Sequence, residues 1–159
     1  MYNRRHTRGF GLIEIIISIT LISVSLFAFA TVSRIAFRAV LESSDRQRGG
    51  FLLEEGFESI KTMRDDGWAN ISSLTLDMSY HLIFSEGTWS ATISSQLIDG
   101  IFTRTFILRE VFRDTSDNIA SSGTSDPDTR RMEIEVTWEE RGDERTMSAV
   151  SYITNIFLE

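Results

Sequence analysis

The sequence predicts an α+β protein: a long N-terminal helix whose second half packs on a C-terminal antiparallel sheet. Three observations carry this. Residues 10–33 form an unbroken apolar run with a single charge, Glu14. Apolar residues recur at helical spacing as far as Met63. From Trp68 onward the period shortens toward two, the period of a strand with one buried face.

The first nine residues carry Arg4, Arg5 and Arg8 and no acid, so they read as a basic leader. The run that follows, FGLIEIIISITLISVSLFAFATVS, contains no proline, and its only glycine is Gly11. As a helix it spans about 36 Å at ~1.5 Å per residue, enough for a hydrocarbon core of roughly 30 Å with some tilt. Basic residues before the run predict a cytoplasmic N-terminus and an extracytoplasmic body; Arg34 and Arg38 beyond it weaken the asymmetry. A cleavable secretory signal has a shorter apolar stretch, of about 7–15 residues, and then a small-residue site that is not found here. A plain membrane anchor leaves Glu14 unexplained. A carboxylate in a spanning helix costs up to ~2.5–3.5 kcal/mol at mid-bilayer, less near the edge, and calls for a partner.

The helix is predicted to continue over 34–66. Leu53, Phe57, Ile60 and Arg64 share one helical spacing, and Leu52, Gly56, Ile60 and Met63 another; Glu54, Glu55, Glu58 and Lys61 lie on other faces. Gly49-Gly50 predicts a bend or local unwinding, at a cost of ~1 kcal/mol per glycine. The body, 67–159, is predicted to hold about four strands. Residues 89–94 are the first. In 100–112, Phe102, Phe106, Leu108 and Phe112 share one parity. In 131–138, Met132, Ile134, Val136 and Trp138 point one way and Arg131, Glu133, Glu135 and Thr137 the other. A turn around Gly142-Asp143 leads into a last strand over 145–156.

The segment Arg8-Gly9-Phe10-Gly11-Leu12-Ile13-Glu14 resembles the processing site of type IV prepilins and pseudopilins. The resemblance implies cleavage between Gly9 and Phe10 by a membrane peptidase, which then methylates the new amine of Phe10. Glu14 becomes the fifth mature residue, the family's position for a glutamate that pairs with the amine of a neighbouring subunit. The stretch 54–65 and the later Val136-Thr137-Trp138, Gly142 and Tyr152-Ile153-Thr154-Asn155 are similar to minor pilins. Thr31 stands at about the twenty-second mature position, where many major pilins have proline, so the likeness is to minor pilins or pseudopilins. The implied partners are the prepilin peptidase/methylase, other pilin subunits and the assembly machinery. The implied location is the cytoplasmic membrane and then an extracellular or periplasmic filament serving adhesion, motility, secretion or DNA uptake.

The formal charge is −7, and −10 without the three leader arginines. An acidic body excludes a nucleic-acid backbone as the main ligand. With no cysteine, there are no disulfides and no thiolate metal sites. No cofactor and no metal are predicted. The acidic segment 113–130 is predicted to be a loop, and it places Asp114, Asp117, Asp126 and Asp128 where some pseudopilins bind calcium, but their spacing fits no EF-hand. Arg141-Gly142-Asp143 spells an adhesion tripeptide, and an ordinary hairpin turn accounts for it. His6 and His81 have no motif partner, and no phosphate loop or nucleophile elbow is present, so no enzyme is predicted. Two alternatives stand beside the filament subunit: an unprocessed single-pass protein with an extracytoplasmic ligand- or partner-binding domain, and a tethered hydrolase, which lacks a nucleophile and base.

Overall fold

A computed structural model describes residues 11–157. Helix α1 (Leu12–Asp65) runs 54 residues. A one-turn helix α2 (Ala69–Ser72) follows, then strands β1 (Ser79–Ser85), β2 (Thr88–Thr92), β3 (Leu97–Ile98), β4 (Phe102–Arg113), β5 (Ile119–Ala120), β6 (Thr124–Glu140) and β7 (Asp143–Thr154). The chain divides into two compact units, Met1–Ser44 and Asp45–Glu159.

In the first unit the helix exposes apolar side chains on every side, from Leu12 through Phe27 to Leu41. Its most apolar 18-residue window has a mean hydropathy of 2.4 and no buried residue. A helix apolar all round belongs in a lipid-like or protein interior. Three of its hydroxyls bond within the helix: Thr20, Ser25 and Thr31 donate to the carbonyls of Ile16, Leu21 and Phe27 at 2.8, 2.8 and 2.9 Å. Bonding four residues back hides a hydroxyl that lipid cannot solvate. The start expected at Phe10 lies outside the described residues.

In the second unit the remaining turns of α1 lie on an all-antiparallel sheet. Its main path is β2-β1-β4-β6-β7, and the two-residue β3 and β5 both pair with β4. Leu52, Leu53, Gly56, Ser59, Ile60 and Met63 are buried, so all of the second predicted stripe faces the sheet; of the first, Leu53 and Ile60 are buried and Phe57 is half-buried. The sheet answers with Phe102, Phe106 and Leu108 from β4 and Met132, Ile134, Val136 and Trp138 from β6. Phe106 stands opposite Ile134, and Leu108 opposite Met132. The alternation read from 131–138 therefore holds residue for residue.

Four expectations change. The helix is continuous through Gly49-Gly50, with no local unwinding there. Gly49 is buried because a Cβ there would lie 3.2 Å from both Met147 Sδ and Trp138 Cζ3. The glycine admits the sheet to the helix. Phe112 is not part of the core row. The register shifts between Glu110 and Phe112, a bulge that turns Val111 inward and leaves Phe112 half-buried. The change of period at Trp68 comes later than expected: α2 intervenes, and β1, with Tyr80 and Leu82 buried, was not read as a strand. The sheet has five strands in its path, not four. The turn at 141–142 is where it was expected. Arg141 and Gly142 have φ of 59° and 84°, and Glu140 pairs with Asp143, a two-residue type I′ hairpin that favours glycine second.

One charge sits in the apolar row. Arg104 lies on the core parity of β4 and is 4% exposed. Its Nη1 donates to the Leu52 carbonyl at 3.0 Å and to Glu55 Oε2 at 2.8 Å, and its guanidinium lies 5.6 Å from the centre of the Trp89 ring. Gly56 makes room for it, since a Cβ there would fall 3.2 Å from Arg104 Cδ and 3.1 Å from Ile134 Cδ1. The glycines thus divide by contact. Gly56→Leu is expected to destabilise the second unit by about 1–3 kcal/mol through overpacking. Gly50→Ala, with nothing within 4 Å of the new methyl, is expected to stabilise it by about 0.5–1 kcal/mol through helix propensity. Thermal unfolding of the detergent-solubilised chain measures both, and equal effects at the two sites would contradict the packing described.

Candidate assembly and processing site

The proposed site is built around the first turn of α1. Glu14 is exposed there, and its Oε2 accepts the Gly11 backbone N–H at 3.1 Å. The Gly11 carbonyl receives the N–H groups of Glu14 and Ile15 at 3.0 and 3.3 Å, closing the first turn. A carboxylate in this place satisfies an orphan donor and opposes the positive end of the helix dipole. Among the described residues, its other oxygen accepts no hydrogen bond. Gly9 and Phe10, and the leader arginines Arg4, Arg5 and Arg8, lie outside the described residues. Leu12, Ile13, Ile15 and Ile16 surround Glu14 and are all exposed. Among the described residues, the carboxylate is thus the one charge on the apolar surface of 12–33, which is wide enough to meet other helices or lipid.

The acidic stretch is organised differently. It is not one loop: β5 interrupts it, and Asp126 and Asp128 belong to β6. Asp114 accepts the N–H groups of Ser116 and Asn118 at 2.8 and 2.9 Å. The backbone N–H of Asn118 above all, then that of Ser116, holds its carboxyl below the usual carboxylate range. Arg113 Nε donates to Asp126 Oδ2 at 2.6 Å, and its Nη1 to the Asp117 carbonyl at 2.9 Å. Burial pushes the Asp126 carboxyl up, but bonds from Arg113, Thr129 and the Asp128 N–H outweigh it and hold it low. Asp128 accepts Asn155 Nδ2 at 3.0 Å. These carboxylates tie the ends of β4, β6 and β7 together. Among the described residues, no three His, Cys, Asp or Glu side chains are grouped to hold a metal ion.

Residues 4–30 match the family model of the prokaryotic N-terminal methylation motif. The match takes in two leader arginines beside Arg8, the Gly9–Phe10 bond, Glu14 and most of the apolar run. It supports a type IV pilin-like prepilin. The α+β arrangement, a long apolar N-terminal helix continued onto an antiparallel sheet, is consistent with the pilin fold. The motif indicates a structural subunit rather than an enzyme, implies processing by a prepilin peptidase and assembly with other pilins, and with the apolar helix suggests membrane anchoring. Comparison with curated proteins and with solved structures gives no match.

Proposed function

We propose that the chain is a minor pilin or pseudopilin subunit that is inserted in the cytoplasmic membrane, processed, and assembled into a type IV pilus-like filament. The supporting observation is the methylation motif followed by a helix with no buried apolar surface over its first half. In this reading residues 1–9 are the leader, 10–33 the membrane and filament-core helix, 34–66 its extramembrane continuation, and 67–159 the outward-facing domain. Cleavage between Gly9 and Phe10 frees an α-amine that is then methylated. The amine of one subunit meets Glu14 of another.

The physical logic has two parts. Burying the apolar stripe among neighbouring helices replaces lipid by tightly packed protein. Alone, that packing tolerates many staggers. A lone carboxylate and a lone ammonium, both removed from water, permit only the stagger that joins them, because either one unpaired is costly. Glu14 is a register device, while the apolar surface supplies most of the attraction.

In cells lacking the prepilin peptidase, the chain is expected to remain in the membrane fraction and to be missing from sheared filaments, with both restored when the peptidase is supplied. Equal recovery in filaments with and without the peptidase would overturn the reading.

A further inference from the structure

We propose that the two free edges of the sheet are complementary, so that β7 of one copy receives β2 of the next and the sheet continues from subunit to subunit. The filament reading enters at one point, that neighbouring copies share a polarity.

β7 is an edge whose stretch from Thr146 to Thr154 has none of the usual protection. It pairs with β6 over twelve consecutive residues without a register shift, and among the described residues no strand lies on its other side. Its only charges are at its start, Asp143, Glu144 and Arg145; from Thr146 to Thr154 there is no charge and no proline. Long uncharged edges of this kind pair with other chains unless a bulge, a charge or a covering element prevents it. The opposite edge, β2, reads Thr88-Trp89-Ser90-Ala91-Thr92 and is also uncharged.

Direction selects the pairing. Every neighbour along β2-β1-β4-β6-β7 is antiparallel, so with five strands the two edges run the same way. Placing β2 of a second copy beside β7 makes a parallel pair and leaves the two copies co-directional. Pairing β7 with β7 of a second copy, antiparallel, turns that copy over. Subunits anchored by the same end in one membrane, or stacked in one filament, are not turned over. A head-to-tail contact between different surfaces is also the kind that propagates.

Side chains on the helix-facing side of the sheet supply a knob and a hole. On β1, Tyr80 and Leu82 are buried against the core, and Phe84 follows on the same face, paired across to Trp89. The two rings lie 5.1 Å apart, and Phe84 is 58% exposed. At the other edge, a cleft of about 470 Å³ opens between α1 and β7, lined by Glu54, Phe57, Glu58, Lys61, Val150 and Ser151. Phe57 is half-buried at its apolar side. An aromatic side chain from the next copy would be buried against Phe57 while the backbones pair.

The chain has no cysteine, which makes disulfide trapping unambiguous. Copies carrying Thr88→Cys, Ser90→Cys or Thr92→Cys are co-expressed, in filament-forming cells, with copies carrying Thr146→Cys, Ser148→Cys or Tyr152→Cys. These positions lie on the outward face of their strands. Oxidation is expected to give a mixed dimer at one register and none from β7 variants alone, and Phe84→Glu in the β2 partner is expected to abolish it. Dimers from β7 variants alone would overturn the proposal in favour of a twofold contact. No dimer from any mixed pair would overturn it outright. The N-terminal mass of the same samples keeps the two readings apart. Filaments of chains starting at Phe10 but lacking mixed dimers reject the edge contact and leave the filament role standing. Membranes holding only uncleaved chains reject the filament role, and mixed dimers there would still support the edge contact.

Discussion

Glu14→Ala is expected to leave cleavage after Gly9 intact and to deplete the chain from sheared filaments by about tenfold or more. The estimate follows from stranding a desolvated ammonium, which costs about 2–5 kcal/mol, with about 1.4 kcal/mol per factor of ten. Cleavage is spared because the cut bond lies before Phe10, and neither the leader nor the apolar run is altered. A competing account is local: Glu14 accepts the Gly11 N–H, so the substitution also removes a helix cap. Glu14→Gln separates the two. It keeps an oxygen that can accept the Gly11 N–H and loses the charge. If the charge sets the stagger, the glutamine variant fails in filaments as the alanine variant does. If capping were the whole role, it would assemble normally. Immunoblots of filament and membrane fractions, normalised to cleaved chain, read the outcome.

The second large effect concerns the body. Glu55→Ala is expected to destabilise the second unit by about 2–3 kcal/mol, while Arg104→Met is expected to change it by less than about 1.5 kcal/mol. Removing Glu55 leaves a guanidinium that is 4% exposed with only the Leu52 carbonyl and the Trp89 face. The value is set at the low end for a broken buried pair because Glu55 is half exposed, and water reaches the side it vacates. Replacing Arg104 by methionine removes the buried charge and fills similar volume. Glu55 is then merely a solvated glutamate on a helix. A larger loss from Arg104→Met than from Glu55→Ala in thermal or denaturant unfolding would mean that the pair stabilises the helix–sheet contact instead of merely tolerating a buried charge.

Much of this architecture was legible in the residues because the patterns were long. The apolar run at 10–33 and the alternation at 131–138 each repeat one period several times, and the structure keeps both. What was not legible involved contacts between distant segments. Gly49 looks like a helix breaker in isolation, and Gly56 like one member of a helical stripe; both are contact points whose meaning depends on Trp138, Met147, Ile134 and Arg104. Arg104 carried a signal of its own, a charge between Phe102 and Phe106 on an otherwise apolar parity, and the small residue opposite it was Gly56. The bulge at Glu110–Phe112 moves the core row from one parity to the other, which strict alternation cannot foresee. β1 escapes the pattern because Ile83, an apolar residue on its outward parity, blurs a short alternation whose inward residues are Tyr80 and Leu82. At the candidate site, the spacing of Gly9, Phe10 and Glu14 was readable directly, because a peptidase reads local sequence and not tertiary structure.

Whether this chain is a processed subunit is read from the mass of its N-terminal peptide. The chain is recovered from cells whose prepilin peptidase is active on another prepilin in the same sample. The expected N-terminal peptide begins at methylated Phe10 with Glu14 fifth. A chain that retains residues 1–9 in those cells would contradict it, remove the role of Glu14, and leave a single-pass membrane protein with an outer binding domain.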